Sequence, residues 1–117
     1  MSDETFSLEQ EVAAGGTVLR VRGPLTLANL FAFQKVVHEL RGQCIVVDLA
    51  AVPYMDSAGL GALVNGHVSA QRNGGRFVLA GVAPRVRDLF QLTKVDSLFS
   101  FYGDADEAQA ALAVPRP

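Results

Sequence analysis

Two stretches near the start of the chain alternate apolar with polar residues. The apolar residues concerned are Phe6, Leu8, Val12, Leu19 and Val21. This period of two is typical of strands that bury only one face. Residues 13–17 contain two adjacent glycines and predict the turn that joins the two strands into a hairpin. The polar alternate positions favour a place for this hairpin at one edge of a sheet.

A first helix is predicted over residues 26–41. Its apolar residues recur at the spacing of a helix with one buried face, and they are Leu30, Phe33, Val37 and Leu40, with Leu27, Phe31 and Val36 widening the stripe. Thr26 is the expected N-cap, because its hydroxyl can accept hydrogen bonds from the free amides of a first turn. Gly42 is the expected stop after the helix.

The longest apolar run, residues 44–49, predicts a strand that is buried on both faces of a sheet. Pro53 ends this strand. Helical spacing then begins at Ala58, and either Asp56 or Ser57 can serve as the N-cap of the second helix. A serine hydroxyl is therefore expected where the carboxyl end of a central strand meets a helix N-terminus.

Strand and helix continue to alternate through the rest of the chain. Residues 73–75 end the second helix, and residues 76–80 supply another strand. Pro84 suits the first position of a third helix. A short strand near residues 98–101 precedes a last helix that starts at Asp104.

This order of elements, ββαβαβαβα, predicts an α/β sandwich with a mixed central β-sheet and helices packed on it. Strand-helix-strand crossovers of these lengths make the later strands parallel, with right-handed connections. The length of 117 residues fits a single domain, 1–117. Its core is expected over about residues 5–112, followed by a C-terminal tail that frays.

Composition and charge exclude several classes of protein. The formal net charge is −2 and the pI is near 5.6, so the chain lacks the basic surface that nucleic acids require. It also lacks the pattern of a signal peptide and any apolar run long enough to span a bilayer. We therefore expect a cytoplasmic protein without direct membrane insertion. Cys44, the one cysteine, is expected to be a small core residue.

Groups that could carry catalysis are scarce. His38 and His67 each stand alone within a predicted helix, and no spacing of histidine, cysteine or acidic residues would hold a metal. Gly59, Gly61 and Gly66 fit neither the Walker nor the dinucleotide-binding pattern. They predict instead that the second helix approaches a neighbour closely. We expect no enzyme, no catalytic residue, no metal site and no cofactor.

Ser57 has two interpretations from its position alone. The commoner one is structural, because serine and aspartate are favoured as helix caps. The other is a phosphate-accepting or anion-binding hydroxyl, since free amides and the positive end of the helix dipole favour negative charge at the same point. Position alone leaves both interpretations open.

Four stretches of the chain resemble the STAS family of bacterial anti-sigma factor antagonists, and they are residues 46–49, 54–61, 74–77 and 82–86. The run from Met55 to Gly61 is similar to the specific signature of that family. The resemblance implies that Ser57 is phosphorylated by a partner, a GHKL-type serine kinase that is also the anti-sigma factor. The unphosphorylated form would bind this kinase and release a sigma factor, and the phosphorylated form would let go. Such a protein needs only a presented hydroxyl, which agrees with the absence of catalytic groups.

The resemblance also implies a partner-binding surface, made of Asp56, Ser57, Ala58, Gly59, Leu60 and Thr26. Thr26 departs from the family pattern, which usually has an acidic or amide residue there, in a loop that resembles part of the partner-facing surface of the family, so the identity of the kinase does not follow from the resemblance. Two alternatives stay open. One is a STAS regulatory subunit of a stressosome-like or membrane-transport assembly, and the other is an anion-binding or lipid-binding module. A monomer or a weak dimer is compatible with the sequence.

Overall fold

The computed structural model describes residues 6–113, which form five strands, four α-helices and one short 3-10 helix. The strands are β1 (Ser7–Ala13), β2 (Gly16–Arg22), β3 (Cys44–Ala51), β4 (Arg76–Ala80) and β5 (Phe101–Tyr102). The helices are α1 (Leu30–Glu39), α2 (Ser57–Arg72), α3 (Pro84–Leu92) and α4 (Ala105–Ala113), with the 3-10 helix at Asp96–Leu98. The tail predicted to fray lies mostly outside the described residues.

The five strands form one mixed sheet in the order β1-β2-β3-β4-β5. The hairpin β1-β2 is antiparallel, with Leu8 opposite Val21, and the other neighbours are parallel. The hairpin lies at one edge of the sheet, as its alternating pattern predicts. The predicted element order and the mixed α/β sandwich are confirmed.

Helices cover both faces of the sheet. One face packs against α1, α2 and α3, and the fully buried members of this core are Leu19, Leu25, Phe33, Val47, Leu49, Leu63, Leu79 and Phe90. The opposite face packs against α4 through a smaller cluster that includes Val18, Val46, Val78 and Ala108. Strand β3 contributes alternate residues to both clusters, because it is central and has helices above and below it.

The prediction that Thr26 caps α1 is wrong. The backbone carbonyl of Thr26 accepts hydrogen bonds from the amides of Asn29 and Leu30, at 2.9 Å each. Residues 26–29 therefore form a turn, and the helix begins only at Leu30. The predicted stripe is also too wide, because Leu27 lies in this turn and Phe31 points away from the core, with exposed fractions of 63% and 72%.

The prediction of a strand at residues 98–101 is wrong at its start. Residues 96–98 form the 3-10 helix, and the amide of Leu98 donates to the carbonyl of Val95. Phe99 then turns into the core, where its ring lies 5.5 Å from that of Phe90. Only the two residues of β5 pair with β4. The apolar pattern predicted a strand here, but Phe99 packs against another aromatic ring and does not pair in the sheet.

Two of the three glycines of α2 allow the close approach that the sequence predicts. A Cβ atom on Gly59 would lie 2.1 Å from the carbonyl oxygen of Leu25, and one on Gly66 would lie 2.6 Å from the ring of Phe77. A Cβ atom on Gly61 would meet nothing within 4 Å among residues 6–113. Packing inside the domain therefore explains Gly59 and Gly66 but not Gly61.

Candidate functional site

The candidate site is formed by two loops at the carboxyl end of the sheet, one after β2 and one after β3. Because β2 and β3 are parallel neighbours, their carboxyl ends lie side by side. Backbone hydrogen bonds continue beyond the strands, from the amide of Leu25 to the carbonyl of Tyr54 and from the amide of Asp56 to the carbonyl of Leu25. The β2-α1 loop is therefore fastened to the segment that leads into α2.

Asp56 is the N-cap of α2, so the structure decides between the two caps that the sequence allowed. One carboxylate oxygen of Asp56 accepts from the amide of Gly59 at 2.9 Å. The other oxygen accepts from the amide of Leu27 at 3.1 Å. One side chain thus satisfies a free amide of the first helical turn and also holds a loop that is 29 residues away in sequence.

These hydrogen bonds lower the pKa of Asp56 below its ordinary value of 3.8. The amide of Gly59 is the main cause, and the amides of Leu27 and Ala58 contribute in the same direction. Amides that donate to the carboxylate stabilise its charged form. The start of α2 therefore carries a fixed negative charge at neutral pH.

Ser57 is the first residue of α2, and its side chain is exposed. Since Asp56 already caps the helix, the hydroxyl of Ser57 is not needed for that purpose. Free amides of the first turn and the helix dipole lie beside the hydroxyl. The structural interpretation of Ser57 as a cap is thereby removed, and an accessible hydroxyl at a helix N-terminus is left.

The other residues predicted to meet a partner differ in how accessible they are. Ala58 and Thr26 are half-buried. Gly59 and Leu60 are buried, and only 5% of Leu60 is exposed because its side chain belongs to the main core. Gly59 and Leu60 therefore shape this surface by holding α2 against the β2-α1 loop. Asp56, Ser57, Ala58 and Thr26 are the members of the set that a partner could touch.

Three exposed apolar side chains at the start of α1 and on the segments that lead into α1 and α2 were not predicted from the sequence. Leu27 neighbours Asp56 through its own amide, Phe31 follows one helical turn later on α1, and Tyr54 precedes Asp56 with 40% of its surface exposed. The available signal was an apolar stripe on α1 that is wider than one buried face needs. Leu27 and Phe31 are the surplus members of that stripe.

The described part of the chain, residues 6–113, contains no group of three metal-ligating side chains. No helix in the same range is long and apolar enough to cross a membrane. His38 is exposed on α1, and His67 packs edge-on against Phe99 with ring centroids 5.5 Å apart. The two histidines therefore do not belong to the site around Ser57.

Solved structures of other proteins share this fold. An anti-sigma factor antagonist from Mycobacterium paratuberculosis superimposes with a TM-score of 0.84, at 23% identity, over 97% of this chain and 98% of that chain. The anti-sigma factor antagonist SpoIIAA in its unphosphorylated form gives a TM-score of 0.73 at 20% identity, over 96% and 100%. The murine anion transporter Slc26a9 gives 0.75 at 16% identity, over 93% of this chain but 22% of the transporter.

The sequence itself provides the family assignment. The STAS domain family matches residues 7–108, a range that begins with β1 and ends within α4. The match therefore includes the whole sheet, the cap at Asp56 and the exposed hydroxyl of Ser57. On this evidence the chain belongs to the STAS domain family.

Proposed function

We propose that this STAS domain is an anti-sigma factor antagonist that is switched by phosphorylation of Ser57. In its unphosphorylated form it binds an anti-sigma factor that is also a GHKL-type serine kinase, and so frees a sigma factor. The kinase then transfers a phosphoryl group to Ser57, and the phosphorylated protein dissociates. The single observation that carries this proposal is the exposed, non-capping hydroxyl of Ser57 at the start of α2.

The proposed phosphoryl transfer requires little of this protein. A kinase that holds its own nucleotide and magnesium supplies the charge stabilisation that phosphoryl transfer needs. The substrate protein has only to present a hydroxyl in a fixed position. The double hydrogen bonding of Asp56 holds the start of α2 against the β2-α1 loop, which supports the presentation of Ser57 on a preorganised surface.

Exposed apolar side chains at the start of α1 and on the segments that lead into α1 and α2 are a source of binding energy for a partner. Leu27, Phe31 and Tyr54 leave large parts of their surfaces exposed on the elements that meet at the site. Aromatic residues at the centre of an interface frequently carry much of its affinity. Phe31→Ala is therefore expected to weaken kinase binding by about tenfold or more, or about 1.4 kcal/mol, while leaving thermal stability nearly unchanged.

Phosphorylation is expected to act at the interface and not on the fold. A phosphate on Ser57 would lie beside free amides and the positive end of the α2 dipole, which favours the helix by about 0.3–1 kcal/mol. In a docked complex the same phosphate would add nearly two negative charges next to the carboxylate of Asp56, and it would have to lose water. Repulsion and desolvation therefore dominate, and they release the partner.

The first test identifies the partner and the modified residue. Immobilised Ser57→Ala, which cannot be phosphorylated, is expected to capture the kinase from the source cell. The captured protein is identified by mass spectrometry and incubated with ATP, magnesium and the wild-type domain. Peptide mapping should find one phosphoryl group, on Ser57. Modification of Ser57→Ala at the wild-type rate would refute the assignment.

The second test separates the interface mechanism from unfolding. Wild type, phosphorylated protein and Ser57→Asp are compared by calorimetric melting and by binding titrations with the purified kinase. All three are expected to melt at nearly the same temperature. The two charged forms should bind at least about tenfold more weakly, which is about 1.4 kcal/mol. A large fall in melting temperature on phosphorylation, or an unchanged affinity, would contradict the mechanism.

A regulatory subunit of a membrane-transport assembly is the second candidate, and the observation that favours it is the similar fold within the anion transporter Slc26a9. This candidate predicts that wild type and Ser57→Asp capture the same membrane protein, and that no soluble kinase is enriched. The capture experiment on immobilised variants distinguishes the two candidates directly.

A further inference from the structure

A second concave site lies at the opposite end of α2 from Ser57. It is a cavity of about 180 Å³ between the last turns of α2, the start of β4 and the segment before β5, here named the α2-β4 pocket, and it is lined by His67, Ala70, Gln71, Gly75, Arg76, Phe77, Val78, Leu98 and Ser100. Ten residues of helix separate Ser57 from His67, or about 15 Å along the axis. The pocket is therefore separate from the proposed phosphorylation site.

The polar lining of the α2-β4 pocket is suited to an anion. The residues that line it include Arg76, His67, Gln71 and Ser100, and no aspartate or glutamate among residues 6–113 does so. Each of these four side chains can donate hydrogen bonds. The ion pairs among residues 6–113 involve other arginines, Arg20 and Arg22, so within that range Arg76 has no carboxylate partner.

The remaining lining is apolar and can hold a short hydrocarbon body. Phe77 and Ala70 are buried, and Leu98 is exposed. A cavity of about 150 Å³ accommodates a molecule of the size of benzene, so the measured volume fits one small ring or a short chain and excludes a nucleotide. The pocket thus combines one arginine and several neutral polar residues with room for a small apolar group.

The walls of the α2-β4 pocket are held in place before any ligand binds. The ring of His67 packs edge-on against Phe99 at 5.5 Å. The carbonyl of Ser100 accepts from the amide of Leu79 at 3.0 Å, and the amide of Arg76 donates to the carbonyl of Gln43 at 3.1 Å. Fixed walls reduce the ordering cost of binding. The backbone around the pocket therefore needs little rearrangement to receive a ligand.

We propose that the α2-β4 pocket binds a small organic carboxylate. The planar guanidinium fork of Arg76 pairs with the carboxylate, since this geometry suits two parallel hydrogen bonds. His67 and Ser100 donate to the same anion, and the apolar body lies against Phe77 and Leu98. This site is independent of the phosphorylation of Ser57 and goes beyond the proposed function.

The test is a titration of the ¹⁵N-labelled full chain with sodium benzoate at constant ionic strength, followed by NMR. Saturable shifts are expected at the amides of Gln71, Arg76 and Ser100, with a Kd on the order of 1 mM. Benzamide, which has the same shape without the charge, should bind at least about tenfold more weakly, or about 1.4 kcal/mol. Phenyl phosphate distinguishes a carboxylate site from a phosphate site.

Variants locate the binding within the pocket. Arg76→Gln is expected to weaken benzoate binding by about tenfold, a difference of about 1.4 kcal/mol, and Ser100→Ala to weaken it less. Arg72→Gln is the matched control, because Arg72 is an exposed arginine of α2 that does not line the pocket, and it should bind like wild type. The spectra themselves report whether each variant is folded. Ser57→Ala should also bind benzoate normally, whatever the outcome of the kinase experiments.

Three results would overturn the proposal. The first is the absence of saturable shifts up to about 50 mM benzoate, well above a Kd on the order of 1 mM. The second is equal affinity for benzamide, or an equal loss in Arg72→Gln, because either would mean that Arg76 does not recognise the charge. The third is phenyl phosphate binding about tenfold more tightly than benzoate, which would assign the pocket to phosphate instead.

Discussion

Replacing Asp56 with alanine removes one acceptor that serves two separate backbone amides. The bond to Gly59 is a helix cap, and losing a cap costs about 1 kcal/mol. In the second bond the amide of Leu27 donates to the charged carboxylate of Asp56, which strengthens the bond, but the bond is exposed to water, which weakens it. Its loss therefore adds about another 1 kcal/mol. The free energy of unfolding should therefore fall by about 2 kcal/mol, which for a chain of this size lowers the melting temperature by about 8 °C.

Asp104 provides the matched control, because it caps α4 through one amide. Its carboxylate accepts from the amide of Glu107 at 2.8 Å, so Asp104→Ala should cost about 1 kcal/mol. Asp56→Asn keeps one acceptor oxygen and should lie between wild type and Asp56→Ala. Urea unfolding of the three variants measures the differences. A loss in Asp56→Ala no larger than that in Asp104→Ala would refute the role assigned to the Leu27 bond.

The lowered pKa of Asp56 adds a prediction about pH. The folded protein binds this proton less tightly than the unfolded chain, so the stability from the Asp56 carboxylate is present above its ordinary value of 3.8 and is lost as the pH falls through the lower, folded pKa. Wild type should therefore lose more stability than Asp56→Asn between about pH 5 and pH 2. Parallel acid-dependent losses in the two proteins would contradict this account.

Two further substitutions test the packing of α2 and the backbone conformation after α3. Gly66→Ala should destabilise the domain by up to about 2 kcal/mol in urea unfolding, because its Cβ would lie 2.6 Å from the ring of Phe77 and the clash costs more than the roughly 1 kcal/mol that alanine contributes within a helix; a variant stabilised by about 1 kcal/mol would mean that the ring moves freely. Lys94→Gly should raise the melting temperature by about 2 °C, since Lys94 follows α3 with a φ of 60° that glycine adopts more easily. A lower melting temperature for Lys94→Gly would contradict the second expectation.

The element order could be predicted because most elements follow local rules. The alternating hairpin, the continuous run of β3 and the proline at the start of α3 agree with the structure. The start of α1 could not be predicted in this way, because an apolar stripe does not distinguish Leu27, in a turn, from Leu30, in the helix. The start of β5 depended on where Phe99 finds aromatic neighbours, which is a tertiary effect.

The candidate site likewise has features that local sequence patterns predict and features that depend on tertiary contacts. The position of Ser57 at a strand-to-helix junction follows from local patterns, and the resemblance gives it a role. The hydrogen bond between Asp56 and Leu27 joins residues 29 positions apart in sequence. It forms because β2 and β3 are adjacent strands of the sheet. No local pattern contains that information. The exposure of Phe31 likewise depends on which residues of α1 the sheet has room to cover.

Gly61 connects the sequence pattern with the proposed partner. Glycine within a helix costs about 1 kcal/mol relative to alanine, and in the part of the chain that the structure describes nothing lies within 4 Å of where a Cβ on Gly61 would stand. Packing within residues 6–113 therefore does not offset that cost. Gly61 lies one helical turn after Ser57, where a docked partner could approach the backbone closely. Gly61→Ala should then stabilise the isolated domain by up to about 1 kcal/mol and weaken kinase binding by about tenfold. Calorimetric melting and binding titrations measure the two effects separately, and a stabilised variant that binds the kinase as tightly as wild type would remove Gly61 from the interface.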